Sequence, residues 1–311
     1  MNLYIILGQT CSGKTAFSLE LARKLGNSWI VNCDSRQVYA SLDIGTAKVA
    51  GIWKDGVYWV QDIPHFLIDF VSPSQKYNLA NYVLDFIDIF QSPKLHLPQN
   101  VILVGGTGLY AKTIFEEMDL GLVHPQFEIA FEDLKKNLNA LGKLELQERL
   151  LELVDVFVDD KEAFDLIDSS QKKKLNLNHS DWNNPRRLIS HIMRTISRVN
   201  NWKKNIDYLV FENKYYWALE INQIEMEKRI NQRILERVEQ GLLAEVQSLF
   251  YLGENRLDEL GLEYRLTKDY LNQKMSYEQW ITNLQIKNRQ YAKQQLTWLQ
   301  KQPVDWVKGV E

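Results

Sequence analysis

Leu3-Tyr-Ile-Ile-Leu7 runs straight into Gly8-Gln9-Thr10-Cys11-Ser12-Gly13-Lys14-Thr15, and this stretch decides the fold. The first five residues read as a buried strand: apolar, β-branched and aromatic, ended by a glycine. Residues 15–25 read as a helix, with Phe17, Leu21 and Leu25 one turn apart. Between them lies G-x-x-x-x-G-K-T, the phosphate-binding P-loop. Its glycines let backbone N–H groups curl around phosphate oxygens, and the helix N-terminus adds positive potential. Lys14 supplies a point charge, and the Thr15 hydroxyl is placed for a phosphate-bound Mg²⁺.

Further strands are expected at residues 29–33 and 101–104, the latter ended by Gly105-Gly106. Strands alternating with helices predict an α/β fold: a P-loop NTPase-like parallel sheet flanked by helices. Active sites in such sheets lie beyond the carboxyl ends of the strands, so the loops at 8–15, 34–39 and 105–110 should converge on one crevice. Residues 208–211 and 215–219 regain strand character, and 225–250 reads as one long helix. Within it Arg229, Arg233 and Arg237 recur every four residues and share a face. For Arg237 a solvated position among glutamates is the expectation. The last helix, 277–300, opens with Ser276 and Gln279 in capping-box spacing and stops before Pro303.

Between these halves, 119–205 shows helical periodicity. The chain is therefore expected to form a P-loop core, 1–118 with 206–311, carrying a mostly helical insertion domain, 119–205. Charge is split within the insertion. Residues 119–168 hold 13 acidic and 5 basic side chains, and residues 169–204 hold 9 basic and one acidic. Either two surface helices attract each other, or a basic face meets an anionic partner. The net charge of −3 over 311 residues argues against binding nucleic acid over the whole surface but allows a local basic groove. Two cysteines exclude a disulfide scaffold. No apolar run is long enough for a signal peptide or a membrane span, so a cytoplasmic protein is expected. His65 and His191 lack partners at metal-ligand spacing, which predicts no structural zinc. Composition gives no reason to expect more than a monomer.

A P-loop alone suggests ATP or GTP binding and a hydrolase or small-molecule kinase. The strand at 101–104 runs into Gly105-Gly106-Thr107-Gly108 instead of a metal-organising Asp. Asp34, after the second strand, could play that part, so a kinase stays open.

The strings Asn32-Cys-Asp34-Ser35-Arg36-Gln37-Val-Tyr39, Asp43-Ile-Gly-Thr-Ala-Lys48, Pro64-His65-Phe-Leu-Ile-Asp69 and Gly105-Gly-Thr107-Gly-Leu-Tyr110 follow the P-loop in order. Together with Arg229-Ile-Asn-Gln-Arg233, Gly241-Leu-Leu-Ala-Glu245-Val and Arg289-Gln-Tyr-Ala-Lys293-Gln-Gln-Leu-Thr297-Trp298, they resemble the tRNA dimethylallyltransferases over nearly the whole chain. The resemblance implies transfer of a dimethylallyl group from dimethylallyl diphosphate to N6 of the adenosine 3′ of the tRNA anticodon. It implies Mg²⁺ as cofactor, and tRNA (through its anticodon stem-loop) and the diphosphate donor as partners. Asp34 matches the general base and Thr107 the donor to the bridging oxygen. Arg229 or Arg233 matches the clamp on the diphosphate, with Arg229 favoured. Asp34, Ser35, Arg36, Gln37 and Tyr39 match the segment that meets the flipped adenosine, and Arg186 and Arg187 match a tRNA-contacting segment.

The chain departs from the family pattern at Ser190, where an arginine is usual, and at Gly261-Leu-Glu-Tyr264-Arg265, where G-Y-[KR] is usual. Cys11 replaces a small loop residue and is read as tolerated. A prenyltransferase of a free adenine nucleotide would share the donor site, but would have less use for the basic stretch. A non-catalytic tRNA-binding protein would not need Asp34 beside a P-loop.

Overall fold

The computed structural model describes residues 1–93, 95–118, 120, 122, 125–156, 179–200 and 208–309. The chain divides into two compact units, Met1–Met118 with Tyr208–Glu311, and Asp119–Asp207.

The first unit is built on an eight-stranded sheet in the order β3-β4-β5-β2-β6-β1-β7-β8. The strands are β1 (Asn2–Gly8), β2 (Ser28–Asn32), β3 (Ile52–Lys54), β4 (Val57–Val60), β5 (Ile63–Phe66), β6 (Asn100–Val104), β7 (Asn213–Glu220) and β8 (Asp305–Lys308). The centre is parallel, with Ile5 between Leu103 and Tyr216. Residues 3–8 of β1 and all of β2 are buried. That is why they read as continuous apolar runs and not as alternating ones. One edge departs from the expected parallel sheet. Here β3, β4 and β5 form an antiparallel meander whose first turn holds Gly56 at φ 78°.

Helix α1 (Lys14–Leu25) covers one sheet face, packing Leu19 and Ala22 with Ile6, Ile30 and Ile102. Helices α2 (Leu79–Asp88) and α3 (Gly108–Glu116) pack against each other, with Tyr82 stacked on Tyr110 at 4.3 Å. The expected long helix at 225–250 is two helices, α8 (Gln223–Glu239) and α9 (Leu242–Ser248). Gly241 between them sits at φ 104°, a left-handed conformation that ends the first and caps the second. No strand forms at residues 208–211, and β7 starts two residues beyond them. Helices α10 (Glu254–Leu260), α11 (Leu262–Leu271) and α12 (Tyr277–Leu299) complete the unit. The capping box of Ser276 and Gln279 opens α12 as the spacing predicted. Trp280, fully buried, stacks on Tyr270 at 4.7 Å and ties α12 to α11.

In the second unit α4 (Glu128–Asn139), α5 (Lys143–Val156), α6 (His179–Trp182) and α7 (Pro185–Val199) are described. Leu146 and Leu150 meet Leu188 and Ile192, two pairs at i,i+4 spacing forming a small apolar core. The lysines at 172–174 and 203–204 lie outside the described residues.

Candidate active site

The three expected loops do converge. They line one cavity of about 1030 Å³ in the first unit, together with α8, α11 and α12. Residues 10–15 of the P-loop line it; Gly8 and Gln9 do not. Gly8 has no room for a Cβ, which would stand 2.5 Å from Ser12 Oγ. The Gln9 side chain turns away and donates to the Ala292 carbonyl (3.0 Å). Gly13 takes φ 86° and Cys11 φ 63°, the alternation that aims successive N–H groups into one concavity. Lys14 Nζ donates to the carbonyls of Gly8 (3.1 Å) and Gln9 (2.7 Å). Burial, opposed by the charge of Asp34, lowers its pKa to about 8.

This shift has a measurable sign. Below pH 8 Lys14 is protonated in the free protein, and an anionic ligand meets a full charge. Above pH 8 the ligand must first draw a proton onto Lys14. Diphosphate affinity should therefore fall by up to about tenfold per pH unit between pH 8 and 10. Calorimetry at pH 9 in two buffers of different ionisation enthalpy should report uptake of about one proton.

Asp34 leaves the end of β2. Its Oδ1 accepts the N–H of Arg36 (2.8 Å) and Gln37 (3.4 Å), so one oxygen holds the turn and the other is left for chemistry. Gly105 lets the two loops close, since a Cβ there would stand 2.0 Å from the Cys33 carbonyl. Thr107 is pinned to the same turn: its Oγ1 accepts the Ser35 N–H (3.0 Å) and donates to Ser35 Oγ (3.3 Å). Around Gly106, Asp34 Oδ2 and the Tyr291 hydroxyl lie 3.4 and 3.9 Å from where a Cβ would stand. Burial, then the Asp34 charge, pushes the Tyr291 phenol up to about 12, so it stays protonated.

The arginines of α8 also line the cavity, and they differ in surroundings. Arg229 is 43% exposed, tied to Glu225 at 2.6 Å, and reaches the Cys11 carbonyl at 3.5 Å. Arg233 donates from Nη2 to Thr10 Oγ1 in the P-loop, while its Nε is buried without a partner among the described residues. Arg237 is not solvated as expected. It is 5% exposed and paired with Glu263 at 2.8 Å, because α8 is covered on that side by α11. Tyr39 is also misplaced by sequence reasoning. It is 2% exposed, does not line the cavity, accepts the Tyr77 N–H at 3.2 Å and lies under the Arg256 guanidinium. Ser35, Arg36 and Gln37 do line the cavity.

Gln295 was missed. Its Oε1 accepts the Thr10 N–H (2.8 Å) and its Nε2 donates to the Gly106 carbonyl (3.2 Å), joining the P-loop to the Thr107 loop. No periodicity reveals a contact spanning 285 residues. Gln295→Ala should lower turnover by about tenfold through the lost alignment, with helix content unchanged by circular dichroism.

In the second unit Asn184 caps α7, and Arg186 and Arg187 sit exposed on its first turn. Arg187 is partly neutralised by Asp181 at 2.6 Å. At Ser190, where the family arginine is missing, the Arg194 Nε reaches back one turn to the Ser190 carbonyl (3.2 Å). Within the departure at 261–265, Tyr264 faces inward, 1% exposed and donating to Glu245, while Arg265 is exposed.

A strand–loop–helix phosphate cradle, a carboxylate just beyond the end of β2, two strands away in the sheet, and guanidinium groups lining the same cavity define a P-loop protein of the group-transfer class. Comparison with known proteins narrows this. The IPP transferase profile matches residues 37–302, and the Isopentenyl transferase profile matches residues 1–51. The chain belongs to the IPP transferase family. It is 32% identical over 318 residues to tRNA dimethylallyltransferase 2 of Shewanella sediminis, covering 99% of this chain and 93% of the relative. It is 33% identical over 318 residues to tRNA dimethylallyltransferase 1 of Syntrophus aciditrophicus, covering 99% and 94%. Among solved structures, the tRNA isopentenylpyrophosphate transferase of Bacillus halodurans is similar with a TM-score of 0.60 at 27% identity, covering 99% of this chain and 89% of that one.

Proposed function

We propose that this chain transfers a dimethylallyl group from dimethylallyl diphosphate to N6 of the adenosine immediately 3′ of the anticodon in tRNA, releasing diphosphate. The observation that carries this is the meeting of the P-loop, Asp34 and Thr107 in one cavity of about 1030 Å³. Single-ligand pockets run to roughly 1,000 Å³, so this one has room for a donor and a flipped base.

The donor's diphosphate lies in the P-loop concavity lined by residues 10–15, with Lys14 and Arg233 beside it. As the allylic C–O bond breaks, its electron pair goes to the leaving diphosphate. The donors already aimed there meet that charge as it develops. Thr107 turns its hydroxyl proton from Ser35 Oγ to the bridging oxygen. The target adenosine, flipped from its loop, presents N6 beside Asp34. As the N6–C bond forms, Asp34 Oδ2 takes the N6 proton.

Magnesium fits as a passenger of the donor. Thr15 is exposed in the cavity wall, and no cluster of three or more His, Cys, Asp or Glu that could hold a metal occurs among the described residues. The Thr15 hydroxyl and the diphosphate oxygens would hold the ion in an all-oxygen set, and it would supply Lewis-acid neutralisation of the leaving group.

The exposed arginines of α7 are read as phosphate contacts that position the RNA. Arg186→Ala should weaken tRNA binding and lower the slope of log affinity against log salt by about 0.7–0.9. An unchanged slope would remove Arg186 from the contacts. Action on tRNA supports a cytoplasmic reading, and a site whose named groups all come from one copy is compatible with a monomer. No helix among the described residues is long and apolar enough to cross a membrane.

The test uses labelled dimethylallyl diphosphate, Mg²⁺ and either total tRNA or AMP. Label in tRNA is expected. Label confined to AMP would instead make the chain a nucleotide prenyltransferase. Tight ATP binding with indifference to the allylic donor would make it a kinase.

A further inference from the structure

Asp43, Ile44 and Gly45 open a tight turn, closed by bonds from the Ala47 N–H to the Ile44 carbonyl (3.1 Å) and from the Lys48 N–H to the Asp43 carbonyl (2.9 Å). The leading N–H groups of such a turn have no partner within it. Here one carboxylate from 200 residues away takes three of them. Glu245 Oε2 accepts from Asp43 (2.9 Å) and Ile44 (2.7 Å), and Oε1 from Gly45 (2.8 Å). The Tyr264 hydroxyl also donates to Glu245 Oε1, at 2.8 Å. Burial, then the Glu245 charge, holds that phenol in its protonated, donating form. The Tyr264 ring fits only because residue 45 is glycine: a Cβ there would lie 2.7 Å from the ring.

The far end of the same turn reaches the cavity. Gln37 Nε2 donates to the carbonyls of Thr46 (3.1 Å) and Ala47 (3.2 Å), and all three residues line the cavity wall. Two carbonyl acceptors fix which way the Gln37 amide points, since only its NH₂ can satisfy them. That leaves Oε1 as its group for a ligand. An acceptor at that place matches an exocyclic amine and opposes a keto oxygen.

We propose that Glu245, held by Tyr264, is a positioning residue for the acceptor base: it sets the 43–47 turn, and the turn fixes the Gln37 amide as an acceptor for the adenine amino edge. This rests on the transfer to tRNA proposed above. It gives Tyr264, within the cavity-lining segment at 261–265, a role in setting the base pocket, where sequence comparison alone suggests an altered RNA contact.

The test measures steady-state transfer to an anticodon stem-loop RNA, and donor affinity by calorimetry with an unreactive thio analogue of dimethylallyl diphosphate. Wild type, Glu245→Gln, Tyr264→Phe and Gln37→Ala are compared, together with the Glu245→Gln/Gln37→Ala pair. Glu245→Gln should raise KM for the RNA about 10- to 100-fold, because the neutral amide cannot satisfy all three N–H groups, with kcat reduced far less. Donor affinity should stay within about twofold, and Tyr264→Phe should show a smaller rise of about fivefold. In the Glu245→Gln background, Gln37→Ala should cost less than a third of its cost in wild type, because the two act as one unit. Additive effects, or a loss of donor affinity matching the rise in KM, would overturn the proposal. If Glu245→Gln does not fold, Tyr264→Phe paired with Gln37→Ala carries the same cycle and the same criterion. A wild type that labels no tRNA is a separate result, which overturns the proposed function and this inference with it.

Discussion

Asp34→Asn should reduce the single-turnover rate of prenyl transfer by about 10³-fold, within the 10²- to 10⁴-fold that a positioned base contributes. The substitution keeps the turn. Asparagine Oδ1 still accepts the N–H groups of Arg36 and Gln37, which hold at 2.8 and 3.4 Å in the native chain. What it removes is the capacity to take up a proton at the second position. Donor affinity, measured with the unreactive thio analogue, should stay within about twofold, because the cradle of residues 10–15 is untouched. Asp34→Ala should be worse in both respects, since it also releases the turn to which Thr107 is pinned. An Asp34→Asn protein that turned over normally would remove Asp34 as the general base, and leave it as the cap of a loop.

Arg233→Met should lower kcat/KM for the donor by about 10²- to 10³-fold, whereas Arg229→Ala should cost only about fivefold. The family resemblance favours Arg229, but the surroundings of the two side chains reverse the order. Arg229 is 43% exposed and shares its charge with Glu225, so water and an ion pair already screen it. Arg233 reaches Thr10 in the loop itself and keeps a buried Nε without a partner among the described residues. Burial, then the charge of Arg237, depresses its pKa. A guanidinium in that position gains most when a diphosphate arrives. Methionine keeps much of the stem's volume, so stability followed by thermal melting separates a packing loss from a lost charge. Equal effects at the two positions would favour a shared clamp over a single buried one.

These predictions also mark how far the sequence could be read. The P-loop, the end of β2 and the glycine turn after β6 were legible because each works through consecutive backbone groups. A cradle of N–H groups needs glycine at fixed spacing, and strand and helix patterns flank it on either side. The long helix was misread at Gly241 because an apolar repeat does not register a change of helix axis when the residues beyond the break still pack inward. The strand expected at 208–211 failed for a related reason. Aromatic and β-branched residues favour a pleated, half-buried surface, but Val210 is 89% exposed and has no sheet neighbour.

The side chains around the cavity divide in the same way. That Asp34, Thr107 and Lys14 belong to one site followed from the sequence, since parallel strands deliver their C-terminal loops to one edge. Tyr39 lies in a string that resembles a base-reading segment, yet only packing against Tyr77 and Arg256 decided that it faces the core. Arg237 sits at the same helical spacing as Arg229 and Arg233, and only the cover supplied by α11 buried it against Glu263. Gln295 and Glu245 act across 285 and 200 residues, on N–H groups that local sequence leaves unpaired. The sequence by itself therefore determined the phosphate cradle, the parallel centre of the sheet that presents it and the family of the chain, because these depend on neighbours along the backbone. Only the tertiary structure decided which arginine is buried against the P-loop and what holds the turn at 43–47 in place. Those outcomes depend on which distant groups exclude water from a side chain, and no local pattern encodes that.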